Sequence, residues 1–193
     1  MKSLKKEVFS IPNMMGYFRI ILIPIFLYTY CNATSLKDYY IVAGIVCISG
    51  ITDFLDGYIA RNFNMITELG KFIDPLADKL TQAALVFSLA FTHKLMWYLV
   101  GLFIVKEGFM AIMGIIMLRK GKKLDGAKWF GKLCTAILYI VMFILILFPK
   151  MNDTISSFLI IVCGIFMLLS FILYIHVYYK MHKSITVIKF RSR

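Results

Sequence analysis

A chain of 193 residues that is 61% hydrophobic and only 17% charged, with a mean hydropathy of +0.82, is too apolar for a water-soluble domain, which is usually about 45–50% apolar. Its charge is nevertheless strongly basic, 22 Lys and Arg against 10 Asp and Glu. In a membrane protein such an excess points to cytoplasmic loops and anionic lipid headgroups, and with no soluble module to carry it a nucleic-acid partner is set aside.

From the N-terminus, residues 2–10 combine Lys2, Lys5 and Lys6 with Leu4, Val8 and Phe9, the pattern of either a short amphipathic interfacial helix or a disordered tail. No small-residue cleavage site follows the first apolar run, so a cleavable signal peptide is not expected. Six apolar segments come next, at 12–31, 38–60, 70–92, 95–118, 128–148 and 154–179, each near the roughly 20 residues that span a bilayer. The fold expected is therefore all-α: one polytopic membrane domain over 1–193 with six transmembrane helices. Pro12 and Asn13 start the first helix, Asp38 caps the second, and Asp153 or Thr154 caps the sixth. Short connections make consecutive helices antiparallel neighbours.

Basic residues alternate in a way that supports six spans. Lys2, Lys5 and Lys6, then Arg61 and Lys71, then Arg119, Lys120, Lys122, Lys123 and Lys128, then Lys180, Lys183, Lys189, Arg191 and Arg193 fall on one side, against Lys37, Lys94 and Lys150 on the other. The positive-inside rule puts the richer side, with both termini, in the cytoplasm. Cys31, Cys47, Cys134 and Cys163 stand singly without metal-ligand spacing and read as small buried hydrophobes. His93, His176 and His182 read as interfacial polar residues.

Between Asp53 and Asp78 the pattern breaks. DFLDGYIARNFNMITELGKFIDPLAD holds four of the ten acidic residues, Asp53, Asp56, Asp74 and Asp78. Ionisable groups at membrane depth are expensive unless they pair, face a cavity or bind an ion, and four acids with too few nearby bases suggest bound cations. Asp53, Asp56, Gly57 and Ala60 share one helix face at i, i+3, i+4, i+7; Asp74 and Asp78 share another at i, i+4. The two sets lie at the same end of antiparallel neighbours and can converge at the cytoplasmic interface. Carboxylate oxygens suit Mg²⁺, Mn²⁺ or Ca²⁺ rather than zinc. Gly57 and Ala60 leave the helix face bare for a ligand or for another helix, and Arg61 is placed for a phosphate or as an interface anchor.

The spacing D-x-x-D-G-x-x-A-R, eight residues, G-x-x-x-D-x-x-x-D resembles the signature of the CDP-alcohol phosphatidyltransferase family at all eight fixed positions: Asp53, Asp56, Gly57, Ala60, Arg61, Gly70, Asp74 and Asp78. The resemblance implies transfer of a phosphatidyl group from CDP-diacylglycerol to an alcohol with release of CMP, a homodimer in a bacterial cytoplasmic membrane, and two divalent ions, Mg²⁺ or Mn²⁺. By position it implies that Asp53 bridges both metals, Asp56 binds the first, Asp78 the second and Asp74 both, with Asp78 also the general base. Gly57, Arg61, Thr67 and Asn13 would hold the cytidine diphosphate part of the donor.

Pro75 and Lys79 beside the last acids, and Asn13, Arg19 and Pro24 in the first span, resemble the phosphatidylglycerophosphate synthase branch and the cardiolipin synthase branch of that family. The acceptor implied is glycerol 3-phosphate, or alternatively phosphatidylglycerol. Those branches usually have Thr at the position of Gly16 and a Lys at that of Cys134, in a GK-x-KT pattern matched here by Gly131 to Thr135. A dianionic acceptor needs a basic pocket, for which Lys106, Arg119 and Lys132 are the candidates; Lys106 has pairing with Glu107 as its plainer explanation, and Lys79 reads as a counter-charge. A cation transporter is the non-enzyme alternative, disfavoured because the acids cluster at one end and have no counterpart in the other half of the chain.

Overall fold

The structure, a computed structural model, describes residues 8–120 and 128–191, with side chains to residue 183. Among the described residues the chain is helical, with no strand. The six helices are α1 (Ile11–Cys31), α2 (Leu36–Asn62), α3 (Gly70–Ala90), α4 (Met96–Arg119), α5 (Trp129–Leu147) and α6 (Asp153–Arg191). The basic segment Lys2–Lys6, Lys122 and Lys123, and the side chains of Lys189, Arg191 and Arg193 lie outside the described residues.

Each of the first five boundaries falls within about two residues of the sequence expectation, but two caps and one helix end are corrected. Ser35, not Asp38, is the N-cap of α2. Its hydroxyl accepts from the Asp38 amide at 3.3 Å, and the Asp38 carboxylate accepts from the Ser35 amide at 2.8 Å, a reciprocal capping box. Asn152 caps α6, accepting from the Thr154 amide at 2.8 Å. The backbone of α6 continues past 179 to Arg191. Cys134 and Cys163 are buried as expected; Cys31 and Cys47 are exposed.

Five of the helices are long and apolar enough to cross a membrane; α3 falls short because Lys71, Asp74, Asp78 and Lys79 crowd its first ten residues. Large apolar side chains such as Ile21, Ile25 and Tyr28 on α1 point away from the protein, which suits a lipid environment and no aqueous one. The protein is an integral membrane protein of several apolar helices.

Two compact units divide the chain. The first runs to His93 and includes Met142–Met151; the second comprises Lys94–Val141 and the chain from Asn152, so α5 is split between them. In the first unit α1 packs on both α2 and α3. Asn13 meets Thr67, Arg19 meets Asp78 and Tyr30 meets Thr92, so positions rise together and α1 runs parallel to α3. Against α2 the order reverses, Arg19 on Asp53 and Tyr30 on Tyr39, as short connections require. Leu22, Phe26, Val42, Ala77, Leu85 and Leu89 fill the space between the three. Gly16 allows a close approach of α1 to α3, since a Cβ there would stand 2.8 Å from Ile73 Cγ2. The Thr that the related branches carry at this position has no room here.

In the second unit Leu99 approaches Gly164, Phe109 stacks edge-on with Phe171, and Lys120 Nζ lies 2.8 Å from His182 Nε2. The pairing again rises on both helices, so α4 and α6 are parallel. One core cluster of this unit is Met117, Tyr174 and Tyr178 with Phe109 and Phe130 packed against it. The Tyr174 hydroxyl occupies the place that a Cβ on Gly131 would take, so only glycine fits there.

Candidate active site

The first unit gathers the acids through three helices. Asp53 and Asp56 stand on the last turns of α2, Asp74 and Asp78 on the first turns of α3, and α1 lays Arg19 between them. Its guanidinium is 1% exposed. Nη1 is 2.6 Å from Asp53 Oδ1 and 3.6 Å from Asp56 Oδ2, while Nη2 donates to Asp78 Oδ1. A guanidinium is a planar fork of donors, and here the fork spans carboxylates from two helices. Taking such a charge out of water is costly unless carboxylates compensate it closely, so this contact fixes α1 against α2 and α3.

Arg19 is one base set among the acids, and its role as their partner was missed. Yet this one guanidinium serves a cluster of four carboxyl groups. Buried Asp56 Oδ2 and Asp74 Oδ1 make no hydrogen bond, and neither does Arg19 Nε. Hard oxygens, in excess of their counter-charge and in part without donors, fit a divalent cation such as Mg²⁺ or Mn²⁺. Among the described residues no three Asp, Glu, His or Cys side chains close on a single point; the Arg19 guanidinium stands between them. Lys79 reaches toward Gln82 Oε1 at 3.5 Å.

Beside the acids lies a cavity of about 260 Å³ lined by Asn13, Gly57, Ala60, Arg61, Thr67 and Asp74, with Lys71 among its remaining walls. Its loop, residues 63–69, turns sharply because Asn64 adopts the left-handed conformation at φ 52° and the Met65 amide donates to the Ala60 carbonyl at 3.0 Å, a helix stop that asparagine tolerates. Thr67 then donates to Asn13 Oδ1 at 3.1 Å and accepts from the Gly70 amide at 2.9 Å. This clasp ties the start of α3 to α1. It also explains Gly70: a Cβ there would fall 2.6 Å from Asn13 Oδ1 and 3.0 Å from Thr67 Oγ1. Gly57 differs. A Cβ on it would meet only Arg61 Nη2, at 3.6 Å, so helix packing does not demand glycine there, and the bare position faces the cavity. Arg61 folds back to donate from Nε to the Gly57 carbonyl at 2.9 Å, and Lys71 pairs with Glu68 at 2.6 Å. All four residues expected at the cytidine diphosphate therefore line one cavity, and Asp74 joins it to the acids.

The three candidates for an acceptor pocket belong to the second unit and are not gathered in this way. Lys106 is 4% exposed and donates to Glu107 at 2.8 Å, the plainer of its two explanations. Arg119 and Lys132 are exposed. Thirteen helical residues separate Lys106 from Arg119, about 20 Å along α4 and on nearly opposite faces, so those two do not converge. Cys134, where the related branches have Lys, is buried in α5.

Comparison with known proteins accords with this arrangement. The sequence model of the CDP-alcohol phosphatidyltransferase family matches residues 9–182, and the chain belongs to that family. Members use divalent metal ions. The chain is similar to proteins named CDP-diacylglycerol–glycerol-3-phosphate 3-phosphatidyltransferase from Escherichia coli K12, Shigella flexneri serotype 5b and Shigella sonnei. Each is 32% identical over 131 residues, 66% of this chain and 71% of the relative.

Proposed function

We propose that this protein transfers the phosphatidyl group of CDP-diacylglycerol to glycerol 3-phosphate, forming phosphatidylglycerophosphate and CMP. The observation that carries the reading is the single cavity lined by Asn13, Gly57, Arg61 and Thr67 that opens on Asp74 beside the remaining acids. It supports a nucleotide diphosphate held next to a carboxylate cluster. The names of the relatives support glycerol 3-phosphate as acceptor, and the family match over residues 9–182 supports treating the chain as one functional domain.

In this mechanism Arg61 turns its guanidinium from the Gly57 carbonyl to the donor's phosphates, where a charge-assisted fork is stronger than a neutral hydrogen bond. Gly57 and Ala60 let the nucleotide lie against the helix backbone. Asp53, Asp56, Asp74 and Asp78 hold two divalent ions, Mg²⁺ or Mn²⁺, which when bound offset the charge of the pyrophosphate and of departing CMP. Asp78 takes the proton of the acceptor hydroxyl. The hydroxyl oxygen forms its bond to the phosphatidyl phosphorus, and the bond from that phosphorus to the bridging oxygen breaks, releasing CMP. Lys106, Arg119 and Lys132 are the bases available to the acceptor phosphate; Lys106 reaches it only by giving up Glu107.

The charge alternation of the loops supports a site and both termini on the cytoplasmic side, where a water-soluble acceptor meets a donor whose acyl chains stay in lipid. The assembly in this reading is a homodimer. The acceptor profile of the purified protein tests the proposal: CMP release from CDP-diacylglycerol that requires glycerol 3-phosphate supports it. Release that requires phosphatidylglycerol instead identifies cardiolipin synthesis. Release with no alcohol offered contradicts phosphatidyl transfer.

A further inference from the structure

Arg19 is the sole charged residue of α1, it is 1% exposed, and its terminal nitrogens meet Asp53 Oδ1, Asp56 Oδ2 and Asp78 Oδ1. These are oxygens that the proposed metal site needs. A guanidinium and a divalent cation at contact distance of the same oxygens compete for them, because their like charges repel. Nor is Arg19 an indispensable member of a saturated network: its Nε is buried without a hydrogen-bond partner. Its fork is thus only partly used, as befits a contact that can be exchanged. Meanwhile it joins α1 to both acid-bearing helices, and without some cation the four carboxylates of α2 and α3 would repel one another across that junction.

We propose that Arg19 is a resident counter-ion that competes with divalent metal for the aspartate cluster: it holds Asp53, Asp56 and Asp78 together when metal is scarce and surrenders their oxygens as metal loads. Arg19 is in this sense a positioning residue, which keeps the site assembled and tunes how tightly it grips ions. The inference rests on the metal reading given above.

Mn²⁺ binding and thermal unfolding of the purified full-length chain in detergent, without donor lipid, test it. Wild type binds Mn²⁺, and the double variant Asp56→Asn, Asp74→Asn loses that binding; if wild type binds none, the metal reading itself fails and the inference with it. Given binding by wild type, Arg19→Gln is expected to bind Mn²⁺ at least about tenfold more tightly, since removing a cation a few ångströms away relieves repulsion of that order. Its melting temperature in chelator falls below that of wild type and returns when Mn²⁺ is added. Arg19→Lys, which keeps the charge, stays near wild type on both measures. Unchanged or weaker Mn²⁺ binding by folded Arg19→Gln overturns the proposal. If Arg19→Gln survives purification only with Mn²⁺ and unfolds on chelation, the counter-ion role is supported; if it is unfolded with and without Mn²⁺, Arg19 is a packing residue and the proposal is wrong.

Discussion

In the unit built on α1, α2 and α3, charged groups from three helices meet: Asp53, Asp56 and Asp78 touch one guanidinium, and Asp74 joins them to a cavity lined by Gly57 and Arg61. In the unit built on α4 and α6 they do not. Lys106 and Glu107 neutralise each other side by side, while Arg119 and Lys132 extend outward from helix ends. Charge that cannot be neutralised locally needs a ligand; charge that is already paired does not. The comparison supports the first unit as the seat of the proposed chemistry; in the second, Lys106 is paired and Arg119 and Lys132 are exposed.

The largest effect that can break this contrast is at Asp78. Asp78→Asn removes the proposed proton acceptor and is expected to lower CMP release by about 10²–10⁴-fold, with the protein still folded and donor still bound. Single-turnover assays beside a thermal melt check it. Next is Arg61→Ala, which removes a charge-assisted contact to the donor, worth about 1.5–3 kcal/mol for a bond to a charged group. The expected result is a KM for CDP-diacylglycerol raised roughly 10- to 100-fold, with a smaller change for glycerol 3-phosphate.

The two motif glycines sharpen the contrast within the first unit. Gly70→Ala drives a methyl into Asn13 and Thr67, and overpacking of this kind costs about 1–3 kcal/mol, so it lowers the melting temperature. Gly57→Ala meets only the mobile end of Arg61; it is expected to leave the melting temperature within a degree or two of wild type and to raise the donor KM. Equal loss of stability in both would show that Gly57 is a packing glycine after all. The smallest effects lie in the second unit. Lys132→Ala is expected to raise the KM for glycerol 3-phosphate several-fold, while Lys106→Met leaves that KM unchanged and instead destabilises the fold by removing the charge beside half-buried Glu107. An acceptor KM moved by Lys106→Met, and not by Lys132→Ala, would reverse the assignment.

Much of this was legible in the sequence because membrane helices leave few options. Apolar runs and alternating basic loops set the helix number and order, and the i, i+3 and i, i+4 spacings put each pair of acids on one face. Fixed motif spacing then named the residues that line the cavity. Arg19 escaped, although a single arginine in the apolar run IPNMMGYFRIILIPIF is itself a signal: an ionisable group at that depth has to find an acid, and the nearest surplus lay on α2 and α3. The roles of Gly16 and Gly70 were not legible. A glycine in sequence does not say whether its missing Cβ faces a cavity, as at Gly57, or makes way for Asn13 across a helix pair, as at Gly70. Nor could spacing along α4 reveal that Lys106 turns to its neighbour Glu107 while Arg119 faces outward, since both choices fit one linear pattern.

The most direct test of the central claim compares wild type with Asp78→Asn in one assay: CMP release from CDP-diacylglycerol with glycerol 3-phosphate as sole acceptor, before and after chelation of divalent metal. The account predicts acceptor-dependent release by wild type that chelator stops and added Mg²⁺ or Mn²⁺ restores, with Asp78→Asn folded and nearly inactive throughout. Equal release by both proteins, or release that persists undiminished after chelation, would contradict it.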